Sequence, residues 1–257
     1  PSMAASDMLY CDETFFFKKM QNLIRSANDS AYLETWLAAN SIAKEQLSAV
    51  SDVQELSEGK LFHQLAEMLP EGSTLFVGNS MPIRDLDSFF FFNEKKIKVM
   101  ANRGANGIDG IVSTALGVAS VSQPCYLVLG DLTFYHDLNG LMAAKMYNLN
   151  INILLINNNG GGIFSFLPQA NEPKHFERLF GTPLDLDFSH VVEMYNGKFD
   201  VISDWDHFAE VFVQNQSISG LKVMEIQTMR DRNLTEHRDL WKSVSREITL
   251  MLKGDNQ

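Results

Sequence analysis

Asp131, Asn158 and Gly160 are the residues whose types and spacing most clearly suggest chemistry. Asp131 follows Gly130 at the end of a short apolar run, Pro124 to Leu129. Asn158 and Gly160 stand in an Asn-Asn-Asn-Gly-Gly-Gly stretch that closes a second run, Ile151 to Ile156. A carboxylate, an amide oxygen and a bare backbone carbonyl are hard oxygen donors, the kind that suit Mg2+ while water and phosphate oxygens fill its other positions. Between the two runs, Phe134, Leu138, Leu141, Met142 and Lys145 recur at the spacing of one helix face. The stretch therefore reads strand, helix, strand, and its crossover makes the strands parallel. That puts the polar residues at the carboxyl ends of parallel strands, where open α/β sheets bind ligands. The helix after Asp131 also aims free N–H groups at the same place, which favours a phosphate. A helix terminus contributes only about 0.3–1 kcal/mol to anion binding, so the metal's double charge would carry most of it.

The elements that must position these residues can be read along the whole chain. Apolar runs recur at Thr74–Val77, Ile97–Met100, Tyr126–Leu129, Ile151–Ile156, Phe199–Ile202 and Leu221–Ile226, and helical patterns separate most of them. One helical face holds Leu61, Phe62, Leu65, Ala66 and Leu69. Another is expected to begin at Ile108 and to carry Ile111, Val112, Ala115, Leu116 and Ala119. The last carries Trp241, Val244, Ile248 and Met251. The fold class is α/β, a doubly wound, six-stranded and mainly parallel sheet with helices on both faces. The first strand leads into Gly78-Asn79-Ser80-Met81-Pro82, so the dinucleotide fingerprint Gly-x-Gly-x-x-Gly is absent, as is a Walker A loop. Residues 1–50 read as two helices, one with Phe15, Phe16, Phe17, Met20, Leu23 and Ile24, the other with Tyr32, Leu33, Trp36 and Leu37. Phe89 to Phe92 is expected to be core.

The Gly-Asp and Asn-Asn pairing resembles the thiamine-diphosphate motif, with Leu132 where many members have Gly or Ala. Three longer blocks, Val77 to Asp87, Ala101 to Gly117 and Asn157 to Gln169, resemble one subfamily, the 2-succinyl-5-enolpyruvyl-6-hydroxy-3-cyclohexene-1-carboxylate synthases of menaquinone biosynthesis. The likeness covers roughly residues 55–257, the cofactor half of such an enzyme. It implies thiamine diphosphate and Mg2+ (or Mn2+), with Asp131, Asn158 and the Gly160 carbonyl as metal ligands. It implies that Gly107, Ile108, Gly130, Leu132, Ile163 and Phe164 also contact the cofactor, Ile108 from beneath. Ser80, Arg84, Arg103 and Leu167 would meet the substrates, 2-oxoglutarate and isochorismate. Both substrates are dicarboxylates, and guanidinium groups fork onto carboxylates through paired hydrogen bonds. Without the resemblance, a surface salt bridge to Asp85 or Asp109 would be the plainer reading of the two arginines.

The resemblance further implies a division into residues 1–50, the end of a middle domain, and 51–257, the diphosphate-binding domain. The reaction would decarboxylate 2-oxoglutarate and add the resulting succinyl semialdehyde unit to isochorismate. The activating glutamate of this superfamily belongs to an N-terminal pyrimidine-binding domain, usually of a neighbouring subunit, in a homodimer or tetramer. No glutamate here stands in the matching context, so no catalytic residue is assigned. The chain, which begins at Pro1, is expected to be a fragment that is inactive alone. The rival functions are another thiamine-dependent 2-keto acid decarboxylase or synthase, and a noncatalytic cofactor-binding module.

A formal charge of −11 argues against nucleic acid and anionic membranes as partners. Cys11 and Cys125 allow no disulfide framework or zinc spacing, and no signal peptide or membrane-length apolar stretch occurs, so a reducing cytoplasmic setting is expected. The six histidines, His136 and His175 among them, show no metal spacing.

Overall fold

The computed structural model describes residues 6–23 and 30–254. Pro1 and Ile24 lie outside the described residues. The chain divides into two compact units, Pro1–Ser41 and Ile42–Gln257. The first contains helix α1 (Glu13–Gln21), and the boundary falls within α2 (Ser30–Ser48). Phe15 and Phe17 are exposed on α1, as are Tyr32, Leu33, Trp36 and Leu37 on α2.

The second unit is built on six strands, β1 (Thr74–Val77), β2 (Lys98–Met100), β3 (Cys125–Gly130), β4 (Ile151–Asn157), β5 (Lys198–Ile202) and β6 (Leu221–Gln227). They form one sheet in the order β2-β1-β3-β4-β6-β5, and every pairing is parallel. Successive residues point to opposite faces of a strand, and the inner strands β1, β3, β4 and β6 are buried on both faces, while the edge strands β2 and β5 are partly exposed. Leu127, Leu129, Ile153 and Leu155 enter one core, and Tyr126, Val128, Leu154 and Ile156 enter the other. Helices α5 (Ile111–Ala119), α6 (Asp131–His136), α7 (Leu141–Met146) and α9 (Ser189–Met194) cover the first core. Helices α3 (Glu58–Met68), α4 (Met81–Phe89) and α10 (Trp205–Gln216) cover the second. The short α8 (Pro173–Phe176) and the long α11 (Arg230–Gly254) complete the helices named here. Among the described residues no helix is long and apolar enough to cross a membrane.

Three local expectations are corrected. The helix after Asp131 is not continuous: α6 stops at His136 and α7 starts at Leu141. Asp137 leaves helical geometry, and its carboxylate accepts hydrogen bonds from the Ser113 N–H (2.6 Å) and hydroxyl (2.8 Å) in the first turn of α5. Because α5 begins after Gly110, which has no side chain to cap it, Asp137 supplies the missing acceptor from across the fold. Second, α5 begins at Ile111, leaving Ile108 in the preceding loop, since Gly110 adopts φ +65° and breaks helical continuity. Third, only Phe89 of the four-phenylalanine cluster is fully buried. The chain emerges beyond α4, and Phe92 is 91% exposed.

Candidate functional site

The sheet order reverses direction between β1 and β3, because β2 lies on the far side of β1. Such a switch point opens a crevice at the carboxyl ends of the strands. A cavity of about 410 Å3 occupies that position. Ser80, Arg84, Arg103, Gly107, Ile108, Gly130, Asp131, Leu132, Asn158, Gly160, Ile163 and Phe164 all line it. Residues from four separate parts of the sequence are thus brought to one place. Leu167 is not in the lining; it follows the 3-10 turn Gly162–Phe166 and is 39% exposed.

Asp131 opens α6 directly after β3 and is buried. Its Oδ1 accepts from the Leu132 N–H (2.8 Å) and its Oδ2 from the Gly160 N–H (2.7 Å), which ties the end of β3 to the loop after β4. Burial pushes its carboxyl up to about 6, against the pull of these backbone N–H groups and of Arg230. Asn158 follows β4, and its amide Nδ2 donates to Glu58 Oε1 (2.8 Å). Its Oδ1 is buried and has no hydrogen-bond partner among the described residues. A buried polar atom left alone costs free energy, so this oxygen is the natural place for a ligand. Gly160 has φ +139°, and a Cβ there would collide with the Gly181 carbonyl oxygen, so only glycine allows the loop to pass.

The rim is also unusual. Ser80 has φ +74° without being glycine, a strained conformation of the kind that clusters at functional sites. The Arg84 guanidinium donates to the Ser80 carbonyl (2.6 Å). Among the described residues neither Arg84 nor Arg103 forms a salt bridge. Asp85, one of the two surface partners of the plainer reading, is instead buried against His237 Nε2 (2.7 Å). Both arginines therefore keep donors free beside the cavity.

Two residues of this site were not anticipated. Asn79 is buried, donates to the Gly107 carbonyl (2.6 Å) and accepts from Arg103 Nη1 (2.9 Å), so it joins two loops. Its position directly after β1 was the available signal. Glu58 opens α3, at a helix start where a carboxylate is ordinarily solvated and favoured by the helix dipole. It is fully buried, and burial, then repulsion from Asp85, push it up to about 8, against hydrogen bonds from Asn158 and Thr228. No cluster of three or more His, Cys, Asp or Glu able to hold a metal occurs among the described residues. The oxygen set at this cavity draws on an amide and a backbone carbonyl, which such a cluster would not contain.

Residues 89–226 match the model of the thiamine pyrophosphate enzyme family, C-terminal TPP-binding domain. The chain belongs to this family. The match takes in Arg103, Ile108, Asp131 and Asn158 and leaves out Glu58, Asn79, Ser80 and Arg84. The chain is 49% identical, over its whole length, to the 2-succinyl-5-enolpyruvyl-6-hydroxy-3-cyclohexene-1-carboxylate synthase of Bacillus cytotoxicus, and covers 44% of that protein. It is 50% identical over 98% of its length to the synthase of the same name from Geobacillus thermodenitrificans, and covers 43% of it. The chain thus spans less than half the length of these relatives. Among solved structures, the thiamine diphosphate-dependent 4-hydroxybenzoylformate decarboxylase of Rhodococcus jostii RHA1 superposes with a TM-score of 0.59 at 16% identity, covering 68% of this chain and 33% of that one. At that identity the likeness establishes the TPP-binding α/β fold alone.

Proposed function

We propose that the cavity holds thiamine diphosphate through a divalent cation, Mg2+ or Mn2+. We further propose that the chain is the cofactor-binding portion of a synthase that decarboxylates 2-oxoglutarate and joins the remaining unit to isochorismate. The observation that carries the reading is the unpartnered Asn158 Oδ1, buried beside Asp131 at the ends of neighbouring strands. Asp131, Asn158 and the Gly160 carbonyl fit the oxygen set such a cation takes. When bound, thiamine diphosphate supplies the electron sink that decarboxylation of a 2-keto acid requires.

The chain's own groups do the rest. Ile108, Ile163 and Phe164 give the cavity an apolar wall that excludes water from the reacting atoms. Arg84 and Arg103 carry fixed positive charge to the rim of an acidic protein, where the carboxylates of both substrates would be gripped. Ser80 offers a hydroxyl to substrate or cofactor, and Leu167 lies near enough in sequence to extend the wall. The remaining length of the relatives leaves room for an N-terminal pyrimidine-binding domain as partner, and we propose that it is supplied within a homodimer or tetramer. Cys125, buried and pushed up to about 11 by that burial, is an inert thiol.

Calorimetric titration of thiamine diphosphate, with and without Mg2+, tests the reading. Saturable binding that requires metal and disappears in Asp131→Ala is the expected result. Equal binding by Asp131→Ala would remove the proposed cation site. A panel of 2-keto acids offered to the longer protein separates this synthase from another decarboxylase.

A further inference from the structure

We propose that Glu58 is the positioning residue of the cation site, holding the Asn158 amide so that its oxygen, and not its NH2 group, faces the cavity. The inference rests on the cation reading above. An asparagine amide has two ends of nearly equal shape and opposite polarity. Only the oxygen can bind a cation, and a reversed amide would present two N–H dipoles to it.

Glu58 settles which end points where. Its Oε1 accepts from Asn158 Nδ2 (2.8 Å) and from the Thr228 hydroxyl (3.1 Å), two donors drawn from the ends of β4 and β6. Capping does not explain the residue, because Ser57 is the cap of α3 and accepts from the Lys60 N–H. Packing does not explain it either, since burying a carboxylate is costly and an apolar side chain would fill the space more cheaply. Its Oε2 is buried without a partner among the described residues, and Glu58 itself lines the cavity. The contact joins residues 100 positions apart, and Glu58 lies outside the matched family region.

The test is Mn2+ affinity at saturating thiamine diphosphate, read by the loss of the free-ion paramagnetic resonance signal. Glu58→Leu should weaken Mn2+ binding by about 10–100-fold, the usual loss when a ligand's orienting partner is removed. Glu58→Gln keeps an acceptor oxygen for Asn158 and should stay within about threefold of the parent. In Asn158→Asp both ends of the side chain are oxygens, so no end has to be chosen: adding Glu58→Ala there should cost less than about threefold, against about 10–100-fold for Glu58→Ala in the parent. Circular dichroism reports whether each variant folds; if Glu58→Leu does not, the Glu58→Ala cycle decides. Parent-like binding by folded Glu58→Leu or Glu58→Ala, or an equal loss in the Asn158→Asp background, overturns the proposal. If the parent binds no Mn2+, or Asp131→Ala binds it equally well, the cation site fails first and takes this inference with it.

Discussion

Replacing Asp131 with Asn should change the pH dependence of stability in the metal-free protein. An ordinary aspartate has a reference value of 3.8, whereas burial holds this one at about 6. The folded-state value is raised, so the contribution to stability is full below the unfolded value and is lost as pH rises through the folded one. Well above both values the loss amounts to about 3 kcal/mol, from 1.36 kcal/mol per tenfold change in proton affinity. About half of it, roughly 1.6 kcal/mol, is already lost near pH 5, leaving roughly 1.4 kcal/mol to be lost between about pH 5 and pH 8. Asn cannot ionise, so it escapes this loss, but it has one carbonyl oxygen where Asp131 uses two. One of the Leu132 and Gly160 N–H groups is then unpaired, at a pH-independent cost of about 1–3 kcal/mol. Removing the Asp131 charge also eases ionisation of Glu58, which acts in the same direction. The stability of Asp131→Asn relative to the parent should therefore rise by about 1.4 kcal/mol or slightly more across this range, whatever its starting value. Urea unfolding of both proteins at the two pH values, without divalent metal, measures it directly. A difference that is the same at both would refute the claim that burial strains this carboxylate. With Mg2+ and cofactor present at about 100 times their dissociation constant, the parent should gain about 2.7 kcal/mol and the variant far less.

Gly160→Ala should be destabilising and should abolish metal-dependent cofactor binding. Its φ of +139° is closed to alanine, and the new Cβ meets backbone, which cannot move aside. A backbone cost of about 1–3 kcal/mol lowers the melting temperature by roughly 2–12 °C in a chain of this size, and differential scanning calorimetry checks it. Asn79→Leu removes the link between Arg103 and the Gly107 carbonyl. Loss of those bonds, about 1–3 kcal/mol, should weaken thiamine diphosphate binding by about tenfold and raise the KM for a dicarboxylic 2-keto acid in the longer protein. Unchanged titration curves would show that the Asn79 bridge does not hold the loop.

Much of the sheet could be read because its strands carry their own signal. Buried parallel strands are short apolar runs bounded by polar turns, and all six appear at the expected positions. Helix limits were less legible. Asp137 ends α6 because Ser113 takes its carboxylate, and nothing within residues 131–146 announces a partner on α5. The same holds for Arg84, whose neighbour Asp85 is claimed by His237 on α11, 152 positions away.

The sequence alone determined the doubly wound fold and the presence of Gly-Asp and Asn-Asn at successive strand ends. These depend on local periodicity and on chain connectivity, both written in consecutive residues. Only the tertiary structure decided how those ends are held. Glu58 meets Asn158 and Thr228 across 100 and 170 positions, Asn79 meets Gly107, and Arg230 stands close to the glycine loop. Such contacts form where the carboxyl ends of several strands converge, and a pairing fixed by three-dimensional convergence leaves no periodic trace in the chain.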